Sequence, residues 1–110
     1  MTDLERTLVQ RARAARARAH APYSRYRVGA ALASSDGRVF EGVNVENASY
    51  GATVCAERVA LWSAVAAGAR RFAALAVATP GDDPAPPCGL CLQVLGEFCD
   101  DLPILLAASD

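Results

Sequence analysis

Seven consecutive apolar residues, Phe72-Ala73-Ala74-Leu75-Ala76-Val77-Ala78, form the longest uninterrupted apolar run in the chain. The run is far below the ~20 residues needed to cross a bilayer. Short and apolar throughout, Phe72 to Thr79 predicts a strand covered on both faces. Such a strand needs a layer of structure on each side of its sheet.

The flanking segments supply those layers. Thr2-Asp3-Leu4-Glu5 reads as a capping box, and Leu4, Leu8, Ala12, Ala15 and Ala19 then recur at helical spacing. This predicts a helix to about Arg18, stopped by Pro22, with acidic residues at its start and arginines at its end, as its dipole prefers. Tyr26–Ala33 and Val39–Val45 are β-rich runs around Asp36-Gly37, a hairpin signal. Val54–Ala67 has Val59, Ala60, Trp62 and Val65 in helical register and ends at Gly68. Residues 80–87 read as a proline-rich loop, Cys88–Phe98 as a helix with Val94, Leu95 and Phe98 on one face, and Ile104–Ala108 as a last strand. Strands alternating with helices imply an α/β fold with helices on both sides of a sheet. The hairpin is antiparallel, so the sheet is expected to be mixed.

A chain of 110 residues allows one domain, 1–110. Its 53% hydrophobic and 21% charged residues are a folding composition. A formal net charge of −1 disfavours binding to nucleic acid. The five arginines from Arg6 to Arg18 therefore read as a solvated helix face or a subunit contact rather than an RNA-binding arm. No secretory h-region follows the start, and Asp3 and Glu5 argue against a mitochondrial presequence. A cytoplasmic protein without membrane association is expected. Small domains bury limited surface, so support from a metal or from subunit association is expected too.

Four cysteines without a signal peptide point to metal or catalytic use rather than disulfides. Cys55-Ala56-Glu57 and Pro87-Cys88-Gly89-Leu90-Cys91 each sit where a loop opens into a helix, whose positive end favours the thiolate. Cys55, Cys88 and Cys91 make a three-ligand set that leaves one tetrahedral position for water, as in catalytic zinc sites. Cys99 lies eight residues past Cys91, a rise of about 12 Å along a helix, too far to share the ion. It reads as a buried small hydrophobe. His20, the lone histidine, reads as a surface or capping residue.

Cys-x-Glu followed by Pro-Cys-x-x-Cys is the signature of the zinc-dependent nucleoside and nucleobase deaminases. The resemblance is wider than the cysteines. Ala21-Pro22-Tyr23-Ser24-Arg25-Tyr26-Arg27-Val28-Gly29-Ala30-Ala31-Leu32 resembles the amino-terminal motif of the small homotetrameric cytidine deaminases. Asn44-Val45-Glu46-Asn47-Ala48-Ser49-Tyr50-Gly51 is similar to their ribose-binding segment. The likeness runs from about residue 4 to residue 108. It implies a three-layer α/β/α sandwich, one Zn2+ per chain, a homotetramer, and hydrolysis of cytidine or 2′-deoxycytidine to uridine or 2′-deoxyuridine with release of ammonia.

Hydrolytic deamination needs a nucleophilic oxygen at C4 of cytosine and protons on N3 and on the departing amine. Zinc makes hydroxide available near neutral pH. By the resemblance, Glu57 takes the water's proton, passes it to N3 and then protonates the amine. Three thiolates leave the zinc centre with a formal charge of −1, and Arg58 is a candidate donor to the sulfurs that offsets it. The resemblance further implies that Asn44 and Glu46 hold the ribose 3′-hydroxyl. It implies that Tyr26 stacks on the pyrimidine, that the Ala56 amide meets the base's O2, and that Tyr50 completes a neighbouring subunit's pocket.

Two features depart from the family pattern. Leu92 stands where many members carry a further Arg after the last cysteine. Members also continue past Asp110 through another strand and a short helix, so a missing C-terminal segment is expected to affect substrate enclosure. Two alternatives share the zinc motifs: a deaminase of a cytosine-containing antibiotic of the blasticidin S type, and a zinc- and nucleoside-binding protein without turnover. A thiol redox module on Cys88 and Cys91 leaves Cys55 and Glu57 without a role.

Overall fold

The computed structural model describes residues 1–82, Ala85 and residues 87–108. Of the loop expected over 80–87, Asp83, Pro84 and Pro86 lie outside the described residues, as do Ser109 and Asp110 at the chain end.

Helix α1 spans Asp3–Ala15. Its capping box is present: the Thr2 hydroxyl accepts the Glu5 amide at 3.1 Å, and the Glu5 carboxylate accepts the Thr2 amide at 2.8 Å. The helix ends before Pro22. It tightens into a single 3-10 turn at Arg16–Arg18 and leaves it extended at Ala19. The chain is drawn off by pairing, since His20 donates its amide to Asn44 and accepts from Glu46. The buried stripe is Leu8, Val9, Ala12 and Ala15, with Leu4 exposed and Ala19 half-buried.

Strands β1 (Gly29–Ser34) and β2 (Val39–Val43) form the expected hairpin, turning through Gly37 at φ +95°. Although β1 extends one residue past its run, to Ser34, both are shorter than the expected β-rich runs. The Asn44 carboxamide explains this at both ends: it accepts the Val28 amide at 2.9 Å and donates to the Tyr26 carbonyl at 2.7 Å. Side-chain bonds thus supplement a single long backbone bond there, from the Asn44 amide to the Val28 carbonyl at 3.3 Å, and residues 26–28 are not strand.

The remaining elements are α2 (Ala56–Ala66), β3 (Phe72–Ala78), α3 (Gly89–Gly96) and β4 (Ile104–Ala107). Helix α2 starts two residues later than its pattern because Val54 pairs with Val45 and Cys55 is the extended N-cap. Its buried face is Ala56, Glu57, Ala60, Leu61 and Ala64, whereas Trp62, expected inside, is exposed.

The sheet order is β2-β1-β3-β4. The β1 strand runs antiparallel to both neighbours, and β3 and β4 are parallel, so the sheet is mixed. Alternation sorts its side chains. Ala30, Leu32, Leu75 and Val77 pack with α2 and Leu95 of α3, while Ala31, Ala33, Ala74, Ala76, Ala78 and Ala107 pack under α1. Both faces of β3 are covered. The fold is the expected α/β/α arrangement.

The arginines of α1 and of the turn after it find partners within the chain. Arg6 pairs with Asp3, Arg11 and Arg18 with Glu41, Arg13 donates to the Ala108 carbonyl, and Arg16 to the Thr79 carbonyl.

Candidate active site

Two helix N-termini deliver the three cysteines to one point. Cys55 is the N-cap of α2 and Cys88 the N-cap of α3, where its sulfur accepts the Cys91 amide at 3.5 Å. Cys91 is fully buried beneath them. The Cys55 and Cys88 sulfurs are 3.8 Å apart, those of Cys88 and Cys91 3.3 Å, and all three lie within 4.8 Å of one another. Zn–S bonds of about 2.3 Å in a tetrahedron require separations of roughly 3.8 Å. The cluster therefore fits one zinc ion per chain. All four cysteines are free thiols, and neither Cys99 nor His20 belongs to the cluster. Cys99 is half-buried, in the turn after α3 rather than on it.

The charges around the sulfurs favour a cation. Hydrogen bonding from Cys91, then from Arg58 and Cys88, pulls the Cys55 thiol down to about 5 against the cost of partial burial. Cys91, the donor to Cys55 and itself desolvated, is pushed up. An Arg58 guanidinium nitrogen lies 3.6 Å from the Cys55 sulfur. Glu57 is only 4% exposed, and its pKa is raised, first by burial and then by the Cys55 charge.

Above the cluster lies a cavity of about 220 Å³ with mostly apolar walls, lined by Tyr26, Asn44, Cys55, Ala56, Glu57 and Cys88 among others. Six of the sequence-derived candidates therefore meet in one space. Asn44 keeps one amide N–H beyond its bonds to Tyr26 and Val28. As the first residue of α2, Ala56 has an amide outside the helix's own ladder.

Glu46 is placed differently. Its carboxylate accepts the Tyr23 and Ser24 amides at 2.9 and 3.1 Å and the Ser24 hydroxyl, and it lines a neighbouring depression with Tyr23 and Tyr50. Thr53 lines both spaces. Tyr50 is 91% exposed, and Leu92 points outward on α3. Sequence reasoning missed Thr53, Val54, Val77 and Thr79 as cavity walls. The uninterrupted apolar run of β3 does not distinguish Val77 from its neighbours, and no local signal identifies Thr53.

A buried carboxylate beside a three-thiol, zinc-sized cluster on an α/β/α scaffold defines a zinc hydrolase site. Comparison with known proteins narrows the class. The family description "Cytidine and deoxycytidylate deaminase zinc-binding region" matches residues 2–105. The chain is 46% identical over 105 residues to a cytidine deaminase from Sporosarcina psychrophila, covering 94% of this chain and 76% of the relative. It superposes on the crystal structure of cytidine deaminase from Burkholderia pseudomallei with a TM-score of 0.93 and 50% identity, covering 100% of this chain and 87% of that one. A blasticidin-S deaminase from Bacillus cereus is more distant, at 31% identity over 91 residues, or 76% of this chain and 65% of the relative. The chain belongs to the cytidine and deoxycytidylate deaminase zinc-binding family.

Proposed function

We propose that this protein hydrolyses cytidine and 2′-deoxycytidine to uridine and 2′-deoxyuridine, releasing ammonia. The observation that carries the reading is the convergence of the Cys55, Cys88 and Cys91 sulfurs at one point beside a single cavity that Cys55, Cys88 and the buried Glu57 line. Cys55, Cys88 and Cys91 are the zinc ligands in this reading. Zinc, when bound, supplies Lewis acidity that makes water a nucleophile near neutral pH.

The chain's own groups handle the protons and the pose. Glu57 accepts a proton from the attacking water and passes it to N3 of the base. It then accepts the second and passes it to the C4 amino group, which leaves as ammonia. Its burial, which raises its pKa, suits it to hold a proton between those transfers. The Tyr26 ring faces the base, and the Ala56 amide donates to O2. The free Asn44 N–H and the Glu46 carboxylate, which lines the neighbouring depression, hold the ribose 3′-hydroxyl. Arg58 offsets the sulfur charge at Cys55.

The protein acts as one domain over 1–110, in the cytoplasm, and assembles as a homotetramer in which Tyr50 closes a neighbour's pocket. No described helix is long and apolar enough to cross a membrane.

The test is metal content measured alongside turnover of cytidine, 2′-deoxycytidine and blasticidin S by purified, zinc-replete protein. One zinc per chain with loss of cytidine absorbance and ammonia release is expected, abolished in Glu57→Gln with zinc retained. Turnover of blasticidin S alone would transfer the activity to that substrate. Tight zinc and nucleoside binding with no product would make the protein a binder.

A further inference from the structure

We infer that Trp62 is a positioning residue, its indole ring holding the Arg58 guanidinium against the Cys55 sulfur and so setting how tightly the three sulfurs keep zinc. The inference rests on the zinc-site reading above.

Trp62, the chain's one tryptophan, is 51% exposed on α2, so the core does not account for it. The Arg58 guanidinium carbon lies 5.8 Å from the centre of its ring, one helical turn away. That distance is within the range of a cation–π contact.

Arg58 has few other restraints. One terminal nitrogen reaches Cys55 at 3.6 Å, a long charge-assisted contact, and its Nε is buried with no hydrogen-bond partner among the described residues. A guanidinium held only by long contacts to sulfur at one end and by a ring at the other takes part of its orientation from the ring. The dependence matters because no substitute stands nearby. Helix α3, which supplies two of the three sulfurs, has no charged residue from Gly89 to Gly96, and Leu92 points away from the cluster. Among the described residues, Arg58 is the one cationic side chain bonded to a cluster sulfur. If its guanidinium swings out, the negative centre loses the neighbour that offsets it.

The test is zinc release from the full chain to a chromophoric chelator, for Trp62→Leu and Trp62→Tyr in the native and Arg58→Gln backgrounds, with circular dichroism to check folding. Trp62→Leu should weaken zinc retention by about two- to fivefold, the range of an exposed cation–π contact. Trp62→Tyr, which keeps an aromatic face, should restore most of it, and kcat for cytidine should fall in step with KM unchanged. In the Arg58→Gln background Trp62→Leu should change nothing. Equal zinc retention by Trp62→Leu and wild type, or an equal loss in both backgrounds, overturns the inference. A wild-type protein that holds no zinc overturns the site reading as well, whereas one that holds zinc and deaminates cytidine leaves that reading standing whatever Trp62 does.

Discussion

Gly42 of β2 lies so close to the first turn of α2 that a Cβ on it would sit 2.3 Å from the Ala56 carbonyl oxygen and 2.4 Å from the Ala60 amide nitrogen. Both are backbone atoms, so no side chain can move aside. The contact sets how near α2 approaches the sheet, and Cys55 and Glu57 ride on that end of the helix. Gly42→Ala is expected to displace it, at a cost of about 1–3 kcal/mol in stability, with a disproportionate loss of cytidine turnover. Thermal unfolding and steady-state kinetics on the purified variant check both; a variant with wild-type turnover would show that α2 does not depend on this approach.

Removal of zinc should lower the melting temperature, because a ligand held only by the folded chain adds stability by mass action. The shift on adding a strong chelator is expected to vanish in Cys88→Ser and Cys91→Ser and to persist in Cys99→Ser. Differential scanning calorimetry with and without chelator reads it. A Cys99→Ser protein insensitive to chelator would contradict the ligand set, since Cys99 stands outside the cluster.

The sulfur cluster could be seen in the sequence because each motif sits at a helix start, where capping geometry and dipole act locally. The inward face of α2 could not. Glu57 breaks the apolar pattern although it is buried, and Trp62 completes a false one although it is exposed. A carboxylate lies on the core side and an aromatic on the outside, the reverse of what hydrophobic periodicity assumes. The start of β1 was hidden for a different reason. Tyr26 to Val28 has strand composition, but a side chain sixteen residues beyond Val28 takes its backbone bond. Long-range pairing of that kind leaves no local trace.

That same side chain is open to test. Asn44→Ala leaves the Val28 amide and the Tyr26 carbonyl without their partners, which should cost about 1–3 kcal/mol for part-buried groups. Asn44→Asp keeps an acceptor for Val28 but sets a carboxylate against the Tyr26 carbonyl. Both variants are expected to raise KM for cytidine more than they lower kcat, because Tyr26 lines the cavity rather than the sulfur cluster. Michaelis–Menten kinetics separate the two constants, and a fall confined to kcat would deny the segment a part in substrate binding.

Acid sensitivity should trace in part to Glu41, on β2, which receives Arg11 of α1 at 2.6 Å and Arg18 of the following turn. Hydrogen bonding from Arg11 holds its carboxyl below the usual Glu range against the opposing effect of burial, and Arg18 adds to the lowering. A depressed folded-state pKa means that the unfolded chain binds the proton more readily. The pair therefore stabilises the fold fully above the ordinary Glu value of about 4.3, and loses that contribution as pH falls through the lower folded value. The arginines are largely exposed, so screening limits the effect to about 1 kcal/mol or less. Urea unfolding between pH 3 and 7 should show wild type losing more stability on acidification than Glu41→Gln, with the difference shrinking in high salt. Parallel pH profiles for the two proteins would mean that the Glu41 pairs contribute nothing to holding α1 on the sheet.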